Sequence, residues 1–258
     1  MCKRVGLVGV TGYTGMELVR LLLEHPHFQL TCVTSRKEAG KPLGALYPFL
    51  QGSALSTLPV SAPDTKALAD QCDLVFLAVP HGTAMEMAAD LRAQGVRVVD
   101  LSADFRLRSQ AVYEAWYGLE HTQPQLLPEA VYGLPELYAD KIARAGLVAN
   151  PGCYPTSAIL ALYPALQKRL VSPEDIVLDS KSGTSGAGRK ASVGTLFCEV
   201  SDTFRAYNLT KHRHTPEIEQ ELSVLAGQDM CLSFNTHLLP VNRGILTTAY
   251  TKLAPGIP

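Results

Sequence analysis

The chain has 258 residues, 47% of them hydrophobic and 18% charged, with a formal net charge of −1. That length exceeds what one compact core normally uses and predicts two domains. The near-neutral balance excludes a global field for nucleic acid or an anionic membrane, so an anionic ligand must be held by local groups. No run is apolar and long enough to cross a bilayer, and Met1-Cys2-Lys3-Arg4 leads straight into a strand pattern with no room for a signal peptide. A cytoplasmic protein is expected. The cysteines, at 2, 32, 72, 153, 198 and 231, include no C-x-x-C pair, so neither a zinc site nor a disulfide framework is indicated.

In chain order, Val5–Val10 reads as a strand, followed by a helical pattern with Met16, Leu18, Val19, Leu22 and Leu23 apolar. Leu30–Thr34, Leu74–Val79 and Val96–Leu101 read as further strands, with helices near Thr65–Gln71 and Ala84–Gln94 between them. Apolar strands that alternate with helices predict an α/β domain, a parallel sheet covered on both faces. Leu147–Ala149 closes this half, and the aromatic- and proline-rich Phe105–Glu136 reads as an excursion over the active-site face. The first domain is placed at 1–149 and the second at 150–258. In the second, a helix Pro155–Leu170 precedes a strand Ile176–Ser180, and Leu232–Leu239 and Gly244–Tyr250 suggest an antiparallel sheet, hence an α+β domain. The chain ends at Pro258 shortly after a strand without a capping helix, which reads as a chain cut short.

Gly9-Val10-Thr11-Gly12-Tyr13-Thr14-Gly15 follows the first strand and opens a helix. Glycine permits the tight turn and the close approach of backbone to a pyrophosphate, and a helix N-terminus offers free N–H groups and a positive dipole end. A plain strand-to-helix turn is the competing reading; the strand–loop–helix context favours dinucleotide binding of the Rossmann type. The second strand ends at Thr34-Ser35-Arg36-Lys37. A hydroxyl at Ser35 beside Arg36, in place of an acidic residue, suits a ribose 2′-phosphate, so NADP is expected over NAD. Pro80, after the third strand, is counted with the cofactor residues.

Asn150-Pro151-Gly152-Cys153-Tyr154-Pro155-Thr156 carries the chemistry. Pro155 fits a first helical turn, which puts Cys153 at or just before a helix N-terminus, where a thiolate is stabilised. Cysteine is a poor helix cap compared with Ser, Thr, Asp or Asn, so a nucleophile is the better reading. A partner base is sought in Lys211-His212-Arg213-His214-Thr215-Pro216-Glu217, where Thr215 reads as N-cap and Pro216 as the first helical residue. Residues two apart on an extended loop point opposite ways, so only one of the two histidines faces the site. An H-x-H zinc pair would lack an evident third ligand. The loop from Ser182 and Gly183 to Arg189 could form a backbone nest for phosphate or be a plain hairpin loop. Arg106, in Ser102-Ala103-Asp104-Phe105-Arg106, is a candidate for a substrate carboxylate or phosphate, with an ion pair to Asp104 as the alternative.

These blocks, together with Tyr132-Gly133-Leu134-Pro135-Glu136, resemble the N-acetyl-γ-glutamyl-phosphate reductases of arginine biosynthesis, in order from Gly9 to Leu246. The resemblance implies a Rossmann domain joined to a catalytic domain of the glyceraldehyde-3-phosphate dehydrogenase type. It implies NADPH as reductant, Cys153 as nucleophile and His212 as acid/base. Thr11, Gly12, Tyr13 and Thr14 would join Gly9 and Gly15 at the cofactor, and Asn150, Tyr207 and His214 would join Arg106 at the substrate. It also implies a homodimer or homotetramer, and family members continue past this chain's last residue with a segment that returns to the cofactor domain. Other acyl-phosphate reductases, a non-catalytic NADP sensor, and a short-chain dehydrogenase reading of Tyr207-x-x-x-Lys211 are the alternatives.

Overall fold

A computed structural model describes residues 2–257. The chain divides into two compact units: Met1–Glu114 with Gly118–Pro151, and Gly152–Pro258 with Ala115–Tyr117. Among the described residues no helix is long and apolar enough to cross a membrane.

The first unit holds β1 (Lys3–Val8), β2 (Phe28–Thr34), β3 (Val60–Ser61), β4 (Leu74–Leu77), β5 (Arg97–Asp100), β6 (Val131–Tyr132) and β7 (Leu147–Ala149). They form one sheet in the order β3-β2-β1-β4-β5-β7-β6, parallel at each pairing. From β1 the sheet grows in both directions, so the turn after β1 lies at the topological switch point, where open α/β sheets bind ligands. Val5, Leu7 and Val10 pack with Val19 and Leu22 of helix Tyr13–Leu22 and with Leu30 and Val33 of β2. The Tyr47 hydroxyl donates to the Val10 carbonyl at 2.6 Å, tying the end of this core to the turn. Phe105–Glu136 is more ordered than its weak periodicity predicts: it contains helix Gln110–Tyr117, capped by Ser109, and strand β6.

The loop after β5 is built on buried polar groups. Asp100, Ser102 and Asp104 are each fully buried. Asp100 accepts from the Ser102 amide and hydroxyl, both at 2.8 Å. Asp104 accepts from the amides of Gly82 and Ala84 and from the Tyr113 hydroxyl, which satisfies the first open amide of helix Ala84–Ala93. Buried carboxylates are tolerated only when partnered in this way. Burial, reinforced by the charge of Asp104, pushes the Asp100 carboxyl up to about 7.

The second unit carries β8 (Val177–Ser182), β9 (Arg205–Tyr207), β10 (Ser233–Leu238) and β11 (Ile245–Tyr250) in the order β11-β8-β10-β9. The expected antiparallel sheet is in fact mixed: β8 pairs with β11 antiparallel but with β10 parallel. The reason is the long crossover between β8 and β10 through helix Thr215–Ala226, the connection that parallel neighbours require. Leu178, Ser180 and Ser182 alternate inward along β8, as do Phe234, Thr236 and Leu238 along β10. Helix Cys153–Gln167 is pinned to the sheet by Ser157 Oγ donating to Thr247 Oγ1 at 2.7 Å, itself 2.8 Å from Ser180 Oγ.

The raised Asp100 value has a definite sign. A carboxyl whose folded pKa lies above its unfolded one contributes stability that is complete below the unfolded value of 3.8 and is lost as pH rises through about 7. Thermal melts should therefore show the Tm of Asp100→Asn rising relative to wild type between pH 4 and 7, with no further change above about pH 8; a pH-independent difference would refute the assignment.

Candidate active site

The turn after β1 is a cradle in which a side chain has no room at Gly9 or Gly15. Gly9 has φ +87°, and a Cβ there would fall 2.2 Å from the Ala78 carbonyl oxygen. A Cβ on Gly15, in the first turn of helix Tyr13–Leu22, would lie 2.5 Å from Gly9 O and 2.8 Å from Val10 O. The Gly9 and Val10 amides both donate to Thr34 O at 3.1 Å, fixing the turn to the end of β2. Gly12 is the helix N-cap, so the amides of Tyr13, Thr14 and Gly15 belong to the turn that makes no intrahelical bonds. Thr11 and Gly12 are half-buried and Tyr13 and Thr14 exposed.

At the end of β2, the hydroxyl of Thr34 is buried without a hydrogen-bond partner. Ser35 is buried, its hydroxyl accepting from Glu38 N at 3.4 Å, while Arg36 is exposed beside it. Pro80 is exposed and accepts from Thr83 N at 3.1 Å. A tight glycine turn, a helix N-terminus and an exposed guanidinium after β2 fit a dinucleotide that carries a phosphate on its ribose.

Cys153 is the first residue of helix Cys153–Gln167, with Gly152 as N-cap, and it is exposed. The positive end of a fifteen-residue helix favours negative charge there. In the same unit, His212 is buried and lies edge-on to Tyr154, Tyr207 and Phe234 at centroid distances of 5.2, 5.8 and 5.3 Å. His214 packs against His212 at 4.9 Å and Tyr154 at 6.1 Å. The chain neighbour of the cysteine is thus the surface on which both histidines rest. The Tyr154 and Tyr207 hydroxyls are 2.8 Å apart. Burial raises both phenols above their usual range, and the charge of the Cys153 sulfur adds to each shift.

His212 Nδ1 accepts the His214 amide at 3.1 Å, so the neutral ring carries its proton on Nε2. Burial, aided by the adjacent Arg213 charge, lowers the His212 imidazole to about 4. At neutral pH His212 is therefore a hydrogen-bond donor through Nε2, not a cation.

Helix Thr215–Ala226 starts one residue earlier than predicted. His214 is its N-cap and Pro216 lies in its first turn. The anion-nest reading of Ser182–Arg189 is corrected by the hydrogen bonding. Gly183, Thr184 and Ser185 donate their amides to the carbonyls of Gly244, Val241 and Asn242, and Gly186 and Gly188 donate within the loop. Ser182, buried at the end of β8, turns its hydroxyl to Gly183 O. Arg106 is buried, donating through Nε to Asn150 O at 2.8 Å and through Nη2 to Leu101 O at 2.9 Å. It ties the β5 loop to the backbone just before the cysteine. The Asn150 side chain donates to Pro151 O at 3.1 Å. Sequence reasoning misses Glu217, fully buried with its Oε1 accepting from Gly152 N at 2.8 Å; its one signal is an acidic residue three positions after the helix cap. Among the described residues no group of three or more His, Cys, Asp or Glu side chains is placed to hold a metal.

A switch-point dinucleotide cradle and a cysteine opening the second unit define a class. Residues 4–145 match the semialdehyde dehydrogenase NAD binding domain, and residues 153–258 the semialdehyde dehydrogenase dimerisation domain. Solved structures of aspartate semialdehyde dehydrogenases share the fold. One is the Vibrio cholerae enzyme II complexed with ASA, at TM-score 0.71 and 16% identity, covering 98% of this chain and 75% of that one. Another is the Candida albicans enzyme with NADP, at TM-score 0.65 and 17% identity, covering 97% and 71%. Sequence relatives narrow the class. The chain is 52% identical to an N-acetyl-gamma-glutamyl-phosphate reductase of Bordetella pertussis over 98% of its length and 71% of the relative's. It is 53% identical to one of Syntrophobacter fumaroxidans over 98% and 73%. The chain belongs to the N-acetyl-gamma-glutamyl-phosphate reductase family.

Two outcomes follow from this geometry. Gly15→Ala, with its methyl forced against two carbonyls, should weaken dinucleotide binding by about tenfold or more in a fluorescence titration, roughly the 1.4 kcal/mol or more expected of overpacking; unchanged affinity would show that the cradle is not used. The His212 ring protons should titrate near pH 4 by NMR, not near the ordinary 6.5, because burial penalises the imidazolium.

Proposed function

We propose that this chain is an NADP-dependent acyl-phosphate reductase that converts N-acetyl-L-glutamyl 5-phosphate into N-acetyl-L-glutamate 5-semialdehyde. The observation that carries the reading is Cys153 at a helix N-terminus beside Tyr154, against which His212 and His214 pack. Membership of the reductase family supports the substrate. Gly9, Thr11, Gly12, Tyr13, Thr14 and Gly15 would hold the dinucleotide's phosphates, with Ser35 and Arg36 at the 2′-phosphate; Pro80 in the first unit and Ser182 and Gly183 in the second are the further cofactor residues of this reading.

In this mechanism the Cys153 thiolate attacks the γ-carbonyl and forms a C–S bond as the C–O bond to phosphate breaks, leaving a thioester and inorganic phosphate. The nicotinamide, when bound, supplies the two-electron reduction of that thioester. The resulting tetrahedral oxyanion on the substrate expels the Cys153 thiolate and leaves the aldehyde. This collapse needs stabilised negative charge and no net proton, which suits a neutral Nε2–H donor on His212 and the amides at the start of helix Cys153–Gln167. Asn150, Tyr207 and His214 are the substrate residues of this reading, and Arg106 serves it by holding Asn150. The family's dimerisation domain supports self-association, which we take to be a homodimer or homotetramer, in the cytoplasm.

The test is NADPH formation from N-acetylglutamate semialdehyde and phosphate, with aspartate semialdehyde in parallel. Activity on the acetylated substrate alone, reduced at least about 10³-fold in Cys153→Ser with NADP affinity retained, is the expected result. Preference for aspartate semialdehyde would reassign the substrate, and a Cys153→Ser enzyme of near-normal rate would overturn the thioester.

A further inference from the structure

The nucleophile and the histidines stand at the starts of two different helices, Cys153–Gln167 and Thr215–Ala226. One buried carboxylate joins those two starts. Glu217 is the third residue of the histidine helix, and its Oε1 accepts the amide of Gly152, the N-cap of the cysteine helix, at 2.8 Å. Within a single helix, an acidic residue at the third position commonly reaches back to the amide of its own N-cap. Here that bond is made to the neighbouring helix. Gly152 and Glu217 are both buried, so water does not replace the bond, and a buried amide left without a partner is costly.

We infer that Glu217 is a positioning residue for the reaction: it fixes the Gly152–Cys153 backbone, and with it the cysteine sulfur, relative to His212 and His214. The inference deepens the reductase reading and rests on it for turnover, but Cys153 reactivity reports on it without any substrate. In this role Glu217 acts through the Gly152 backbone and takes no part in bond making. What matters is an acceptor oxygen at the right reach, not a titratable group. Glu217→Gln keeps that oxygen at the same reach; Glu217→Asp keeps the charge but is one methylene short.

The experiment compares these two variants with wild type by kcat and KM and by the rate of Cys153 alkylation with iodoacetamide at neutral pH, read by mass spectrometry of the Cys153 peptide. Glu217→Gln is expected to keep kcat within about threefold and to alkylate at least as fast as wild type. Glu217→Asp should lose roughly 10- to 100-fold in kcat with KM nearly unchanged, the size of effect that small misplacements of reacting groups produce, and its alkylation rate should change as well. A Glu217→Gln enzyme as slow as Glu217→Asp would overturn the inference in favour of a chemical role for the carboxylate. Two variants with wild-type kcat and alkylation would overturn it in favour of simple packing. Should Glu217→Asp not fold, Glu217→Leu, which keeps the bulk without an acceptor oxygen, takes its place with the same outcomes: loss of kcat at Leu with retention at Gln supports positioning, and wild-type behaviour of both refutes it. A wild-type protein inactive on acyl phosphates would sink the reductase reading while the alkylation comparison still judged Glu217.

Discussion

A parallel strand that turns directly into a helix brings backbone carbonyls to an end and unpaired amides to a beginning within a few residues. Both halves of this chain are organised around that junction. After β1 the junction is Gly9–Gly15, and after β7 it is Asn150–Cys153. The first is packed so tightly against backbone carbonyls that only glycine fits at residues 9 and 15; the second leaves a sulfur at the positive helix end. Buried polar groups keep each junction in place. Thr34 O and the Tyr47 hydroxyl hold the first turn. Arg106 holds the backbone at Asn150, and Glu217 holds Gly152.

The buried network after β5 serves the same end. Asp104 closes the N-terminus of helix Ala84–Ala93, Ser102 joins Asp104 to Asp100, and Arg106 leaves this loop to reach the backbone before the cysteine. A stretch that reads in sequence as a motif for ligand charge is therefore first a device for satisfying buried polar groups. Its conspicuous residue types follow from that requirement, because small loops carry many unpaired amides and carboxylates are compact acceptors for them.

Much of the architecture is legible because local signals agree. Helix Thr65–Gln71 follows Asp64, whose side chain caps it, and β7 is bounded by Gly146 and Asn150, so sequence and structure give both elements the same limits. The strand-to-helix glycines mark the cradle, and the proline two residues past Cys153 marks the helix that carries it. Pairing in the second sheet is not legible, since the parallel contact of β8 with β10 depends on a crossover of some fifty residues and not on either strand's composition. The glycine- and serine-rich loop after β8 misleads for a related reason. Its composition suits an anion nest, but the amides of Gly183, Thr184 and Ser185 are taken up by residues 241–244, distant in sequence. Glu217 is invisible as anything but a first-turn acid because its partner, Gly152, lies 65 residues away.

The pair of hydrogen bonds that the Gly9 and Val10 amides donate to the carbonyl of Thr34 makes the end of β2 a fixed ruler for the turn after β1. Residues 35 and 36 come next on that ruler, so their side chains stand at a set distance from the turn whatever their identity. Recognition at those two positions is thereby separated from the geometry of the cradle. A lineage with this fold can trade one charge or hydroxyl for another there, changing which ribose it reads, without rebuilding the phosphate turn.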